Sequence, residues 1–330
     1  MNMTLAWARG WLWVGLIGWS AALSQVGQSD SPPVSFRQVA VRYPGSQTIY
    51  GAAFSPKNNL IAAATSQAIF LYDPVTYQDR GRLVTDRWNF AVEFSPDGRF
   101  LASGDGPSGQ NEAPTVRLWE TQTGRLVTQM SGHTDSIGSL AFSPNGQVLA
   151  SGSRDGSVRL WEVPSGRPIA TLAYQGMALE SVAFSPQGIL ATAGSPGPIL
   201  LWNAPWNQPQ TSLVGHTAPI RVLRFSPNGQ HLVSGSDDRT FVVWDLDQRQ
   251  PTARLTGYSA PAWQALFLPD SRTLVTASLD GSLRVWDRLT LVSRPSLLAG
   301  SSPLYALASN TSGTRLVVGG AAGRLVIFAR

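Results

Sequence analysis

Hydrophobic positions along the chain do not follow a helical period. They come in short runs rich in Val, Leu, Ser and Trp, such as VLASGS at Val148–Ser153 and SVRLWE at residues 157–162. Turn pairs bound these runs: Asp97-Gly98, Asn145-Gly146, Asp155-Gly156 and Asn228-Gly229. Such pairs accept positive φ at low cost and join antiparallel strands. No long stretch of 3.6-residue period follows the N-terminal segment. The pattern predicts an all-β protein assembled from small antiparallel meanders.

The meanders repeat. Phe-Ser-Pro followed by a turn pair stands at Phe54, Phe94, Phe142, Phe184 and Phe225, and degrades to Phe-Leu-Pro at Phe267 and Ala-Ser-Asn at Ala308. A strand-closing aromatic stands at Tyr72, Trp119, Trp161, Trp202, Trp244, Trp286 and Phe328, at spacings of 47, 42, 41, 42, 42 and 42 residues. SGSRDGSVRLWE at residues 151–162 returns as SGSDDRTFVVWD at 234–245 and as TASLDGSLRVWD at 276–287. One such unit cannot bury both of its faces, whereas units stacked radially around an axis can.

With Gly-His near the start of a unit and Trp-Asp at its end, the chain resembles the WD40 β-propellers over about residues 35 to 330. Gly132-His133 leads to Trp161-Glu162, Gly215-His216 to Trp244-Asp245, and Gly257-Tyr258 to Trp286-Asp287, with Tyr in place of His. The resemblance implies a seven-bladed β-propeller. The sequence stops two residues past Phe328, at the end of the last unit's third strand, and residues 35–41, SFRQVAV, form a spare strand before the first unit. In the family an N-terminal strand completes the last blade, which removes open sheet edges. The expected organisation is therefore residues 1–24 as a signal peptide or anchor, 25–34 as a flexible lead-in, and 35–330 as the propeller.

The resemblance also implies a buried tetrad of His, Asp, Ser or Thr, and Trp within a blade. The matching residues are His133, Asp155, Ser153 or Ser151, and Trp161, and then His216, Asp238, Ser236 or Ser234, and Trp244. Buried carboxylates and indoles need partners, so a satisfied network pins strand to loop. On this reading the repetition is a folding device. Blades 1, 2, 4 and 7 lack the full set: blade 4 has Gln175-Gly176 and Pro196 at those places, and blade 7 has residues 319–323, Gly-Gly-Ala-Ala-Gly. Those blades are expected to lean on apolar contacts.

Partner binding in the family usually falls on one rim of the disc and on the channel mouth. The residue four before each Phe-Ser-Pro phenylalanine usually faces it, here Tyr50, Phe90, Gly138, Glu180, Arg221, Trp263 and, by the same count, Leu304. Trp88 lies close by, beside Arg87. Tyr, Trp and Arg dominate interface energetics. The expected site for a protein or peptide partner is thus Tyr50, Trp88, Phe90, Glu180, Arg221 and Trp263, the alternative being that these side chains fill the channel mouth against one another. The stretch GPSGQNEAP between Gly104 and Thr115 lengthens one loop of the same rim.

Composition narrows the partner. The net charge is +5, Lys57 is the sole Lys, and no Lys/Arg-rich run occurs, so a nucleic acid is not the expected partner. The absence of Cys removes disulfides, thiolate metal sites and Cys nucleophiles. MNMTLAWARG with Arg9, an apolar run from Trp11 to Leu23, and Ala22-Leu23-Ser24 before Gln25 read as a secretory signal with a small-x-small cleavage site. The run is shorter than the ~20 residues of a spanning helix. An uncleaved anchor over residues 11–23, rich in Trp, is the alternative; the membrane is a partner only in that case.

Catalytic signals are absent. Of the three His, His133 and His216 fall on tetrad positions and His231 has no acidic neighbour in sequence. No HExxH, G-x-S-x-G, P-loop or zinc spacing occurs. In Asp237-Asp238 one carboxylate falls on the tetrad position and the other on its exposed neighbour. The expectation is a monomeric, exported, non-catalytic scaffold without metal or cofactor. The alternatives are a hydrolase or lyase using channel carboxylates such as Glu180 and Glu93, and a membrane-tethered assembly factor.

Overall fold

The computed structural model describes residues 34–330 except 46, 58–59, 108–111, 174–177, 196, 294–296 and 300–301. The chain divides into Met1–Val34 and the compact Ser35–Arg330. The signal or anchor of residues 1–24, the lead-in up to residue 33, the centre of the blade 2 insertion, and Gln175, Gly176 and Pro196 of blade 4 lie outside the described residues. Among the described residues no helix is long and apolar enough to cross a membrane.

Seven four-stranded antiparallel sheets form a propeller. In six of them four consecutive strands pair in sequence order; blade 3, for instance, runs Ile137–Phe142, Val148–Ser153, Val158–Glu162 and Pro168–Leu172. Blade 7 takes Leu304–Ser309, Arg315–Gly320 and Leu325–Ala329 from the C-terminal end, and its outer strand, Arg37–Arg42, from the N-terminal end. Arg37 pairs with Ala329 and Arg42 with Leu325, which closes the ring.

The apolar contacts lie between blades. One layer joins Phe100, Val116, Leu118 and Met130 of blade 2 to Ile137, Leu140, Phe142 and Trp161 of blade 3. Another joins Val317, Leu325 and Ile327 of blade 7 to Ile49, Ile61 and Tyr72 of blade 1. A second strand such as His231–Ser236 is therefore buried at every position, on both faces, and shows no alternation. Outer strands such as Pro168–Leu172 are mostly exposed and carry the polar residues.

The Phe-Ser-Pro motif has a local cause. Ser95 Oγ donates to Asp97 Oδ1 at 2.6 Å and Ser143 Oγ to Asn145 Oδ1 at 2.7 Å, so the serine caps the turn that follows it. Gly98 and Gly146 then take φ of +71°, which a side chain would strain. These turns lie at the end of each inner strand away from the loops that carry His133 and His216.

Candidate functional site

The inner strands of blades 2 to 7 each have a local fault that builds the site, whereas that of blade 1 pairs in regular register. The inner-strand register shifts between Asn89 and Ala91, Ile137 and Ser139, Ile220 and Val222, Ala262 and Gln264, and Leu304 and Ala306. In blade 4 the shift spans Ala178 to Ser181. A bulge re-aims the extra side chain out of the sheet. The residues so expelled are Phe90, Gly138, Glu180, Arg221, Trp263 and Tyr305, and Tyr50 precedes the first inner strand. They converge on the channel mouth, in a cavity of about 220 Å³ that Ser136, Arg154 and Gln264 also line.

Tyr305 corrects the expectation of Leu304, which is 8% exposed and belongs to the core. Blade 7 lost the Phe-Ser-Pro landmark, and the count began one residue early, at Ala308; Ser309 is the strand end that matches Phe267. The spacing of Leu274 and Leu316, paired alike to Trp286 and Phe328, carried the right phase.

The rings form a continuous arc. Trp263 meets Tyr305 at 5.8 Å and 76°, Tyr305 meets Tyr50 at 6.0 Å, and Tyr50 meets Phe90 at 5.2 Å and 70°. Trp88 stacks on Tyr50 at 6.1 Å and remains 53% exposed. These side chains pack on one another, and Trp88 at the end of the arc keeps much of its surface exposed.

The charged wall differs from the expectation. Arg221 donates through Nε and Nη2 to Asp237 at 2.9 and 2.5 Å and through Nη1 to Glu180 at 2.9 Å, with its guanidinium 5.9 Å from the Trp263 ring. The fork to Asp237, aided by Glu180, raises its pKa further. Arg221 and Glu180 thus satisfy each other, and Asp237 is a clamp where a merely exposed neighbour of Asp238 was expected. Below the mouth the channel narrows to about 40 Å³ between residues that include Glu93, Ser139, Ser181 and Arg224. Burial raises the Glu93 pKa, and Arg224 opposes that shift. A larger hollow of about 640 Å³ lies on the side of the Phe-Ser-Pro turns, among Asp73, Arg80, Arg99 and Glu120, where Asp73 already pairs with Arg80.

The tetrads lie away from the mouth, inside the blades. Trp161 Nε1 donates to Ser151 Oγ at 2.9 Å, Ser151 lies 2.8 Å from His133 Nε2, and His133 Nδ1 lies 2.8 Å from Asp155 Oδ2. Trp244, Ser234, His216 and Asp238 repeat this at 2.8, 2.7 and 2.7 Å. Of the serines left open by sequence, Ser151 and Ser234 therefore close the networks. Ser153 and Ser236 stand two residues further along and instead tie the loop, donating to Asp135 O at 2.7 Å and Ala218 O at 3.0 Å. In blade 6 the Tyr258 hydroxyl reaches Thr276 at 2.7 Å, and burial raises its pKa to about 12.

One half of the tetrad extends further than expected. Trp119 donates to Ser103 and Trp202 to Thr192, at 3.0 and 2.8 Å, in blades without the histidine. Blade 2 adds a device of its own: Asp105, 1% exposed, accepts from Thr115 N and Oγ1 and from Arg117 Nη1 at 2.6, 2.9 and 2.5 Å. His231 is buried, its Nδ1 without a partner. Among the described residues no group of three His, Cys, Asp or Glu could hold a metal ion.

Comparison with known proteins matches residues 124–162, 207–245 and 249–287 to the family described as WD domain, G-beta repeat. The periodic tryptophan protein 2 homolog of Neurospora crassa is 31% identical over 131 residues, 38% of this chain and 14% of that protein. WD repeat and SOCS box-containing protein 1 of Homo sapiens is 25% identical over 151 residues, 46% of this chain and 34% of that protein. Meiotic recombination protein rec14 of Schizosaccharomyces pombe is 37% identical over 65 residues, 20% of each. The chain thus spans about a third or less of the length of these relatives.

Proposed function

Because three of its units match the WD40 repeat and all seven blades share one strand order, the chain is a WD40-repeat β-propeller, and we propose that it is an exported, non-catalytic scaffold holding a protein or peptide partner at the mouth of the ring. The observation that carries this reading is the aromatic arc Trp263, Tyr305, Tyr50, Phe90 and Trp88 on a rigid rim. Such side chains supply large contact area at low entropic cost, and clusters of them anchor interfaces. Their support is rigid because Phe90, Trp263 and Tyr305 stand on inner strands packed between blades, and Tyr50 and Trp88 lie at the head of such strands. Export is supported by the charged, apolar and small-residue order of residues 1–24 and by the absence of Cys.

The non-catalytic reading is supported by the state of the mouth's acids. Glu180 is committed to Arg221, and among the described residues that line the narrow channel Glu93 is the one acid, with the charge of Arg224 acting on it. Hydrolysis by a carboxylate pair needs two acids at a set separation.

The test is capture from envelope extract by the wild type and a Trp88→Ala/Trp263→Ala variant, side by side, with equal melting temperatures as the control for folding. Arg221 is left intact because it ties blades 4 and 5 together. A protein held by the wild type and lost by the variant is the expected result. Equal capture by both, or by neither, overturns the assignment of the mouth.

A further inference from the structure

At the mouth the repeat supplies its own internal comparison. In blade 5, Asp237 lies 16 residues after Arg221, and the two side chains meet in a fork at 2.9 and 2.5 Å. Blade 3 carries Gly138 and Arg154 at the same two places. Gly138 and Arg221 are each the residue expelled by the inner-strand bulge, between Ile137 and Ser139 and between Ile220 and Val222. Arg154 N donates to Ser136 O at 3.0 Å, as Asp237 N donates to Pro219 O at 2.9 Å, so both loops are held alike. In blade 2 the matching pair is also filled, since Phe90 lies over Gly106, where an added Cβ would come 2.5 Å from the ring. Of these three blades, only blade 3 has a side chain without its mate. Arg154 is exposed and lines the mouth, and among the described residues its guanidinium has no hydrogen-bonding or ionic partner. Gly138 leaves its own place open, for a Cβ built there meets nothing within 4 Å.

We propose, building on the partner-binding reading, that the partner places an acidic side chain, Asp or Glu, over Gly138, where it pairs with Arg154 as Asp237 pairs with Arg221. A guanidinium presents parallel N–H groups in a rigid fork, and a carboxylate accepts two of them at once. The neighbouring acids do not serve Arg154. Asp135 Oδ1 accepts from Ser136 N at 2.6 Å, and Arg221 turns Glu180 toward blade 5 at 2.9 Å. A cationic guest would meet an unpaired arginine, with Glu180 and Asp237 already held. An uncharged guest would leave Arg154 without a counter-charge. The open place is one side chain wide, because blades 2, 4, 5, 6 and 7 fill it with Phe90, Glu180, Arg221, Trp263 and Tyr305. That width selects a side-chain carboxylate over a chain terminus, which would bring its backbone and last side chain along. Phe90 in the next blade, with Tyr50 beyond it at 5.2 Å, offers apolar surface to the residues flanking the acid.

The probe is the peptide Ser-Phe-Glu-Phe-Ser, capped by acetyl and amide groups and carrying an uncharged fluorophore. One control has Gln in place of Glu, and a second is that Gln peptide with a free terminal carboxylate. Binding to the full chain is read by anisotropy. We expect saturable binding of the Glu peptide, about fivefold tighter than the capped Gln peptide. That factor is about 1 kcal/mol, the upper end for an ion pair open to solvent. Arg154→Gln should erase the preference without changing the melting temperature, because its guanidinium holds nothing else in the molecule. Gly138→Glu should erase it as well, by supplying the carboxylate from the chain itself. Absence of saturable binding, equal binding of the Glu and capped Gln peptides, or a preference that survives either substitution overturns the proposal. A Gln peptide whose free terminus binds as tightly as the Glu peptide overturns the side-chain assignment. If capture of a partner still depends on Trp88 and Trp263 while the Glu preference is absent, the acidic guest alone falls. If capture does not depend on the mouth, the partner-binding reading falls with it.

Discussion

Ser151 stands at the turning point of a one-way relay. Trp161 donates to it, it donates to His133 Nε2, and His133 donates through Nδ1 to Asp155. This order requires a neutral imidazole, and burial does hold the pKa of His133 and His216 below the usual value. Ser151→Ala leaves an indole N–H and an imidazole nitrogen unpaired, and should cost about 1–3 kcal/mol by denaturant melts. Ser153→Ala, which removes a loop tie, should cost less. The sign of the pH effect follows from the depressed histidines. Between the folded and unfolded values the unfolded chain binds more protons, so stability is full above pH 6.5 and falls as the pH drops below it. A His133→Gln/His216→Gln variant should lose most of that slope in a plot of melting temperature against pH. Asp155 adds a later step. Burial alone would raise its pKa, but bonds from Ser157, Thr134 and His133 outweigh it and bring the value to about 2, so its contribution is lost as the pH falls from 3.8 toward 2.

Blade 2 shows what an element does without the histidine. Asp105 and Arg117 form a buried ion pair, and removing one partner strands the other charge. Asp105→Ala should destabilise the protein by about 3–5 kcal/mol, and Asp105→Ala/Arg117→Met should recover most of the loss. This device was not legible in the sequence, because Arg117 occupies the place of Arg159 and Arg284 in its neighbours and nothing in the repeat marks it as different. The strands, their turns and their period were legible, since Phe-Ser-Pro and the Asn-Gly or Asp-Gly pair encode a capped turn directly. The mouth was legible only as positions. That Arg221 turns inward to Asp237 and Glu180 depends on contacts between blades, which a repeat within one blade does not record. The choice of Ser151 over Ser153 was hidden for a related reason. Residues two apart on a strand face the same side, so neither alternation nor burial could choose between the two hydroxyls.

At the scale of the whole molecule the ring is closed by a single strand, Arg37–Arg42, on the edge of Leu325–Ala329. Deleting residues 35–41 should leave that edge bare. The expected outcome is a lower melting temperature together with concentration-dependent association in light scattering, as unpaired edges template other chains. A truncated protein that stays monomeric and equally stable would show that closure contributes little. The same pairing has a kinetic meaning. Arg37 pairs with a residue far along the sequence, Ala329, so the first strand of the ring must wait for its last. Contacts of such long range are slow to form. Folding of this ring therefore ends only once its last blade is available to the strand that opens it.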